Sequence, residues 1–210
     1  MTLTEVLVVI AVLAVLIIVF APWQEPPEVR KASRINCVFN LKEINLAGRL
    51  WAQDHNDKYP MQVSITATNG GGAMELAAAG NVAAAFRVMS NELSNPKILH
   101  CAADTDRVYA TNFTTDFSAK NISYFVGLDA NEDSPQTILS GDDNFTVGGV
   151  PVKSGVVEIA TNTPVAWTAA RHKFAGNIAL GDGSVQQTTT KSLQDSLLNT
   201  GSPTNRFAIP

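Results

Sequence analysis

His172 and Asp182-Gly183, with nine residues between them, are an imidazole and a carboxylate that a hairpin could bring near one another. Histidine with aspartate is half of a nucleophilic triad, and the missing half is a nucleophile. No Gly-x-Ser-x-Gly elbow occurs, and Ser184 after Gly183 reads as the exit from a tight turn. The expectation is therefore structural: His172 bonds a backbone group at the base of the hairpin, while Asp182-Gly183 sets its register. Cys101 follows His100 directly, which raises a Cys-His nucleophile. Adjacent residues of an extended segment point opposite ways, so such a dyad is awkward. The chain has two cysteines, which excludes a four-thiolate zinc site, and neither a Cys-x-x-Cys nor a Cys-x-x-Cys-His signature is present. A disulfide between Cys37 and Cys101 is the better reading.

Asp142 and Asp143, with Asp129 and Asp182, could offer calcium the oxygen ligands it prefers. No EF-hand spacing supports them, and acidic loop residues are usually just solvated, so these are weak calcium candidates and no other cofactor is expected. The acidic balance, net charge -4 over 210 residues with only 16% charged, argues against a dedicated nucleic-acid binder, which needs a basic surface. With 45% hydrophobic residues the chain can bury a core, which excludes a disordered or collagenous chain.

Residues 3–21 are apolar apart from Thr4 and Glu5, and no basic residue precedes Arg30. About 19 helical residues at ~1.5 Å each approach the ~30 Å hydrocarbon thickness of a bilayer, so the segment is expected to span one. A signal peptide would carry a basic stretch before the apolar run and a small-residue cleavage site after it, and neither occurs. A carboxylate in hydrocarbon needs a partner, and the nearest cation for Glu5 is the amino group of Met1, from its own or a neighbouring chain. At the helix start, the macrodipole also favours Glu5.

Pro22, Pro26 and Pro27 each remove an N–H donor, so the helix should kink or break there and restart at Pro27-Glu28. Over residues 28–53, Cys37, Leu41, Ile44, Gly48 and Trp51 recur at spacings of four and three, with Val38, Ala47 and Leu50 beside them, which predicts an amphipathic helix. Asn81 is placed to cap a helix over 82–89. Downstream the period becomes two. Ile122, Tyr124, Val126 and Leu128 alternate along a strand, 137–139 and 156–159 are further strands, and 177–186 is a hairpin turning at Asp182-Gly183 with both residues at positive φ. A last helix is expected over 192–199, with Gly201 as terminator.

The run Thr2-Leu3-Thr4-Glu5-Val6-Leu7-Val8-Val9-Ile10 and the apolar stretch after it resemble the mature N-terminus of type IV pilins and of type II secretion pseudopilins. Asn36-Cys37, Asp57-Lys58-Tyr59-Pro60, the run from Cys101 to Arg107 and the His-x9-Asp-Gly spacing resemble the prepilin-type class common in Planctomycetes and Verrucomicrobia. The resemblance implies an α+β, pilin-like fold: a long N-terminal helix, kinked or broken near residues 22–27, on a small antiparallel sheet. It divides the chain into a membrane-spanning and filament-core segment, 1–27, and a head, 28–210. It also implies a non-enzymatic subunit that waits in the inner membrane and polymerises into an extracellular type IV pilus-like filament. Its partners would be its own copies, a prepilin peptidase, an inner-membrane assembly platform with its ATPase, and membrane lipid before assembly. Residue 1 is read as the mature, N-methylated terminus, although Met1 stands where phenylalanine is usual. Glu5 would pair with the Met1 amine of a neighbour. The alternative is a pseudopilin of a periplasmic pseudopilus, and a third reading is an anchored binding or enzymatic head that does not polymerise. A head exported in this way would mature in an oxidising compartment, in keeping with the disulfide.

Overall fold

The computed structural model describes residues 3–20, 27–68 and 71–210. The element order is α1 (Leu3–Phe20), α2 (Pro27–Gln53), α3 (Met74–Ala78), α4 (Val82–Val88), α5 (Ser90–Leu93), β1 (Tyr124–Gly127), β2 (Ile138–Asp142), β3 (Phe145–Val147), β4 (Val150–Pro151), β5 (Gly155–Ala160), β6 (Val165–Trp167), β7 (Ala175–Leu180), β8 (Val185–Thr189), α6 (Thr190–Asn199) and β9 (Thr204–Ile209). The strands form a six-stranded sheet in the order β5-β9-β1-β2-β7-β8 and a three-stranded sheet in the order β4-β3-β6. Every pairing is antiparallel.

This corrects the expected architecture. The fold is dominated by nine strands in two sheets, and its helical part is divided among separate helices, so it is not a pilin-like long N-terminal helix on a small sheet. The small sheet escapes a search for alternation because its strands run only two or three residues, and the large sheet is wider than expected because β9, from residues 204–209, inserts between β5 and β1. The membrane-spanning expectation, and the inner-membrane localisation that went with it, are corrected too: no helix among the described residues is long and apolar enough to cross a membrane. Eighteen residues reach about 27 Å at ~1.5 Å each, short of ~30 Å, and Thr4 and Glu5 shorten the apolar part further. Pro22, Pro26 and Met1 lie outside the described residues, while Pro27 opens α2.

The large sheet is covered on both faces, which is why β1, β2 and β7 are buried at every position. On one face lie α2 and the short helices α3 to α5, around Leu41, Ile44, Trp51, Tyr59, Phe86, Tyr124 and Val126. On the other lie the small sheet and α6, around Phe125, Phe145, Trp167, Ile178, Leu193 and Phe207. The alternation read in β1 is thus the split between two cores. Asn45, buried on α2, anchors the helix by donating to the Leu180 carbonyl at 2.8 Å. Gly48 lets the Tyr59 ring approach to 3.4 Å of where a Cβ would stand, and the Tyr59 hydroxyl donates to the Gly181 carbonyl at 3.1 Å.

Asn81 caps α4 by accepting from the Ala84 N–H at 3.2 Å. For α6 the cap is Thr189, one turn earlier than the sequence suggests, because its hydroxyl and Ser192 satisfy each other's backbone N–H groups. The β7–β8 hairpin turns where expected, but only Gly183 takes positive φ, at 94°. Gly183 N–H donates to the Leu180 carbonyl at 3.1 Å, closing a turn in which the glycine holds the left-handed position after it.

On β7, Gly176 faces Trp167 of the small sheet, and a Cβ there would stand 2.5 Å from the indole. The indole cannot swing aside freely, because its Nε1–H donates to Thr188 Oγ1 at 3.2 Å. Gly176→Ala is expected to lower stability by ~1–3 kcal/mol through overpacking. Urea unfolding followed by tryptophan fluorescence measures this, and an unchanged midpoint would refute the close packing.

Candidate functional site

The chemistry-bearing side chains converge where α2, the start of β7 and the end of β2 meet. Cys37 on the buried face of α2 is joined to Cys101 in a disulfide across 64 residues, with the Cα atoms 5.5 Å apart. Cys101 reaches it because a 3-10 turn over Pro96–Leu99, capped by Asn95, swings the chain back under α2. His172 Nε2 lies 3.5 Å from Cys101 Sγ and 3.6 Å from Asp142 Oδ2. Asp142, at the end of β2, is completely buried. Its Oδ2 accepts from the backbone N–H of Asn177 at 2.7 Å and from the Asn177 side chain at 2.8 Å. Asp142 Oδ1, His172 Nδ1 and Asn177 Oδ1 are buried without a hydrogen-bond partner among the described residues.

The backbone that delivers His172 is strained. Arg171, Lys173 and Phe174 all have left-handed φ, at 60°, 49° and 60°, a region that L residues with bulky side chains rarely occupy. The segment is held by the Phe174 N–H on the Thr168 carbonyl at 2.9 Å and by Asn144 Nδ2 on the Ala170 carbonyl at 3.0 Å.

Beside it lies a network of four charges. Arg171 bonds Asp104 at 2.8 Å and Asp143, and Arg107 bonds Asp104 at 3.0 Å and Asp143 at 2.7 Å. Ser123 adds a donor to Asp104 at 2.7 Å, and the Ser123 carbonyl accepts from Arg171 at 2.9 Å. The network floors an open cleft of about 720 Å³ rimmed by Lys120, Pro151, Val152 and Thr168. Its two guanidiniums and two carboxylates neutralise one another.

Burial pushes the Asp142 carboxyl up to about 7, against the nearby Arg171 guanidinium and the two bonds from Asn177. Burial, helped by Arg34 and Arg171, holds His172 down to about 4. The linked effects on stability oppose each other. Asp142's contribution is full below about pH 3.8 and fades as pH rises to 7, whereas His172's is full above about 6.5 and fades as pH falls to 4. Burial raises Asp104, but the Arg171 charge and the bonds from Ser123 and Arg107 outweigh it and leave the carboxyl below its ordinary range.

The structure brings Cys37, Cys101 and His172 together, and separates His172 from Asp182-Gly183. The six residues of β7 stand between them, roughly 20 Å of extended chain. Asp182 sits in the exposed turn, where Oδ1 accepts from the Ser184 N–H at 2.8 Å. His172 makes no bond to the hairpin base; the disulfide and Asp142 are its neighbours. The aspartates considered for calcium disperse: Asp129 pairs with Arg206, Asp143 with the two arginines, and Asp142 with Asn177. Glu5 stands in the first turn of α1, and its expected partner Met1 is outside the described residues. Sequence reasoning missed Arg171, Arg107, Asp104 and Asn177. The one available signal was Asp142-Asp143 at the end of an apolar strand, a place where a carboxylate needs a partner.

With the sulfurs bonded to each other, neither cysteine offers the His172–Asp142 pair a thiolate. The arrangement instead fixes three elements around one point. No protein-family model, no curated protein and no solved structure matches the chain. The resemblance to pilins therefore rests on the quoted residues alone.

Proposed function

We propose that this chain is a structural subunit that assembles with copies of itself into a helical filament through its apolar N-terminal helix. The observation that carries the reading is the surface of α1. Leu3, Val6, Leu7, Val8, Val9, Ile10, Val12, Leu13, Val15 and Leu16 are all exposed, from 40% at Val6 to 81% at Leu3, and they surround the helix. A helix apolar on every side is stable only when something covers it. A span of about 27 Å favours protein over a bilayer as that cover.

A second surface supports copies of this chain as the cover. Ile35, Phe39, Leu46 and Leu50 are exposed on α2, on the side opposite Leu41, Ile44 and Trp51. Their spacings of four, seven and four make one stripe, so α2 is apolar both toward the sheet and away from it. One chain thus carries a helical knob and a helical seam. Packing the α1 of one copy against the α2 stripe of the next is a heterologous contact that does not close, and such contacts build filaments.

The full chain is expected to sediment as a polymer and to appear as filaments by electron microscopy. Val9→Glu with Leu13→Glu should leave monomers whose head unfolds at the wild-type temperature. Wild-type chain that stays monomeric at high concentration, or a double variant that polymerises normally, would overturn the reading.

A further inference from the structure

We infer that, once the Cys37–Cys101 disulfide is reduced, Cys37, Cys101, His172 and Asp142 form a tetrahedral site for a zinc-class metal ion. Disulfide and metal would be alternative closures of the same point in the fold. The inference stands apart from filament assembly.

The donor set comes first. Two thiolates, one imidazole and one carboxylate are the mixed S, N, O ligation that zinc accepts. One ligand atom from each of the four residues lies within 4.8 Å of the others, and all four residues are buried. With zinc–ligand bonds of ~2.0–2.3 Å, the ligand atoms of a tetrahedron lie about 3.3–3.8 Å apart. The 3.5 Å from Cys101 Sγ to His172 Nε2 and the 3.6 Å from His172 Nε2 to Asp142 Oδ2 already fall there. The two sulfurs must separate, which losing their covalent bond permits, and the remaining pairs, all within 4.8 Å, have at most about 1.5 Å to close.

The surroundings fit as well. Asn177 holds Asp142 Oδ2 with two N–H groups, as an outer partner orients a ligating carboxylate, and leaves Oδ1 with no partner. Two thiolates and a carboxylate around a divalent cation leave one negative charge. Arg171, which bears on Asp142, and Arg34, which bears on both His172 and Asp142, supply positive charge next to it. In the oxidised chain the sulfurs are neutral and bonded to each other, so the set falls to two ligands.

The steps balance. A dithiol reductant gives two electrons and two protons to the disulfide, yielding two cysteine thiols and the reductant's own cyclic disulfide. The metal ion then displaces both thiol protons, which leave to solvent, and takes the two thiolates.

The test uses the full chain, unfolded under reductant because the disulfide is buried, then refolded in reductant with Zn²⁺, with Co²⁺ or with chelator. Refolded chain should hold about one metal per molecule, Co²⁺ should show the intense visible bands of a tetrahedral thiolate site, and the oxidised chain should hold none. X-ray absorption on the zinc form should count two sulfur and two nitrogen or oxygen neighbours, which decides the ligand set without any variant. His172→Ala should weaken Co²⁺ binding by more than the ~10–100-fold that loss of an outer partner costs. Reduced chain that folds without taking up metal, or fails to fold with metal present, would overturn the site. So would absorption data without two sulfurs, or binding that His172→Ala leaves unchanged.

Discussion

Replacing Cys37 and Cys101 together by alanine should lower the stability of the oxidised protein by about 4 kcal/mol and its melting temperature by roughly 10 °C. The cross-link closes a loop with a sequence separation of 64. In the chain-entropy picture, losing it gives the unfolded state that much additional freedom. The loop contains α3 to α5, whose helices run four to seven residues and so have little stability of their own. They hold their place by covering α2 and the sheet through Ala77, Val82, Phe86 and Leu93. Hydrogen exchange should therefore show these helices losing protection before β7 and β2 do. Both proteins are compared in chelator, so that no metal replaces the covalent link. A fall of under about 1 kcal/mol, well below the usual range for a native disulfide, would show that packing alone fixes α2 to Cys101.

Where the sequence could be read correctly, local chemistry sufficed. The buried stripe of α2, the Asn81 cap and the glycine of the β7–β8 turn each depend on residues within one or two turns of each other. Phe39 and Leu46 show the limit of local pattern. They lie off the predicted stripe, and only the fold reveals that they form a second, outward one with Ile35 and Leu50. The size of the sheet was hidden for a related reason. Buried on both faces, β2 and β7 carry Ser140, Gly141, Asp142 and Asn177 among their apolar residues, so β2 reads only as the short run 137–139 and β7 only through the Asp-Gly turn that follows it, neither by a clean period. His172 reads with Asp182 in sequence because the two share a spacing. Its actual partners, Asp142 and Cys101, are 30 and 71 residues away, a separation on which local pattern has no bearing.

Arg171→Met is the substitution expected to test the charge network hardest, with a loss of ~3–5 kcal/mol at neutral pH. The penalty is that of the groups left behind more than of the bonds lost. Asp104 and Asp143 have side chains exposed by only 1% and 4%, and Arg107, itself shared between both, cannot neutralise the two alone. The arginine also bonds the Ser123 carbonyl, and it is one of three residues in left-handed backbone around His172, so its contacts help hold that strain. The pH dependence separates charge from packing. Asp104 is held below its ordinary carboxyl range, so its favourable contribution is present above about pH 3.8 and is lost as pH falls through the lower folded value. Without Arg171, Asp104 loses the positive charge that does most to offset its burial, and the difference between variant and wild type should shrink as acid protonates the Asp104 carboxylate. Urea unfolding of both proteins at neutral pH and in mild acid measures this. A deficit that stays constant with pH would assign the effect to lost packing of the arginine stem, and a second replacement, Asp143→Leu, should recover part of the deficit only if the stranded charge is its source.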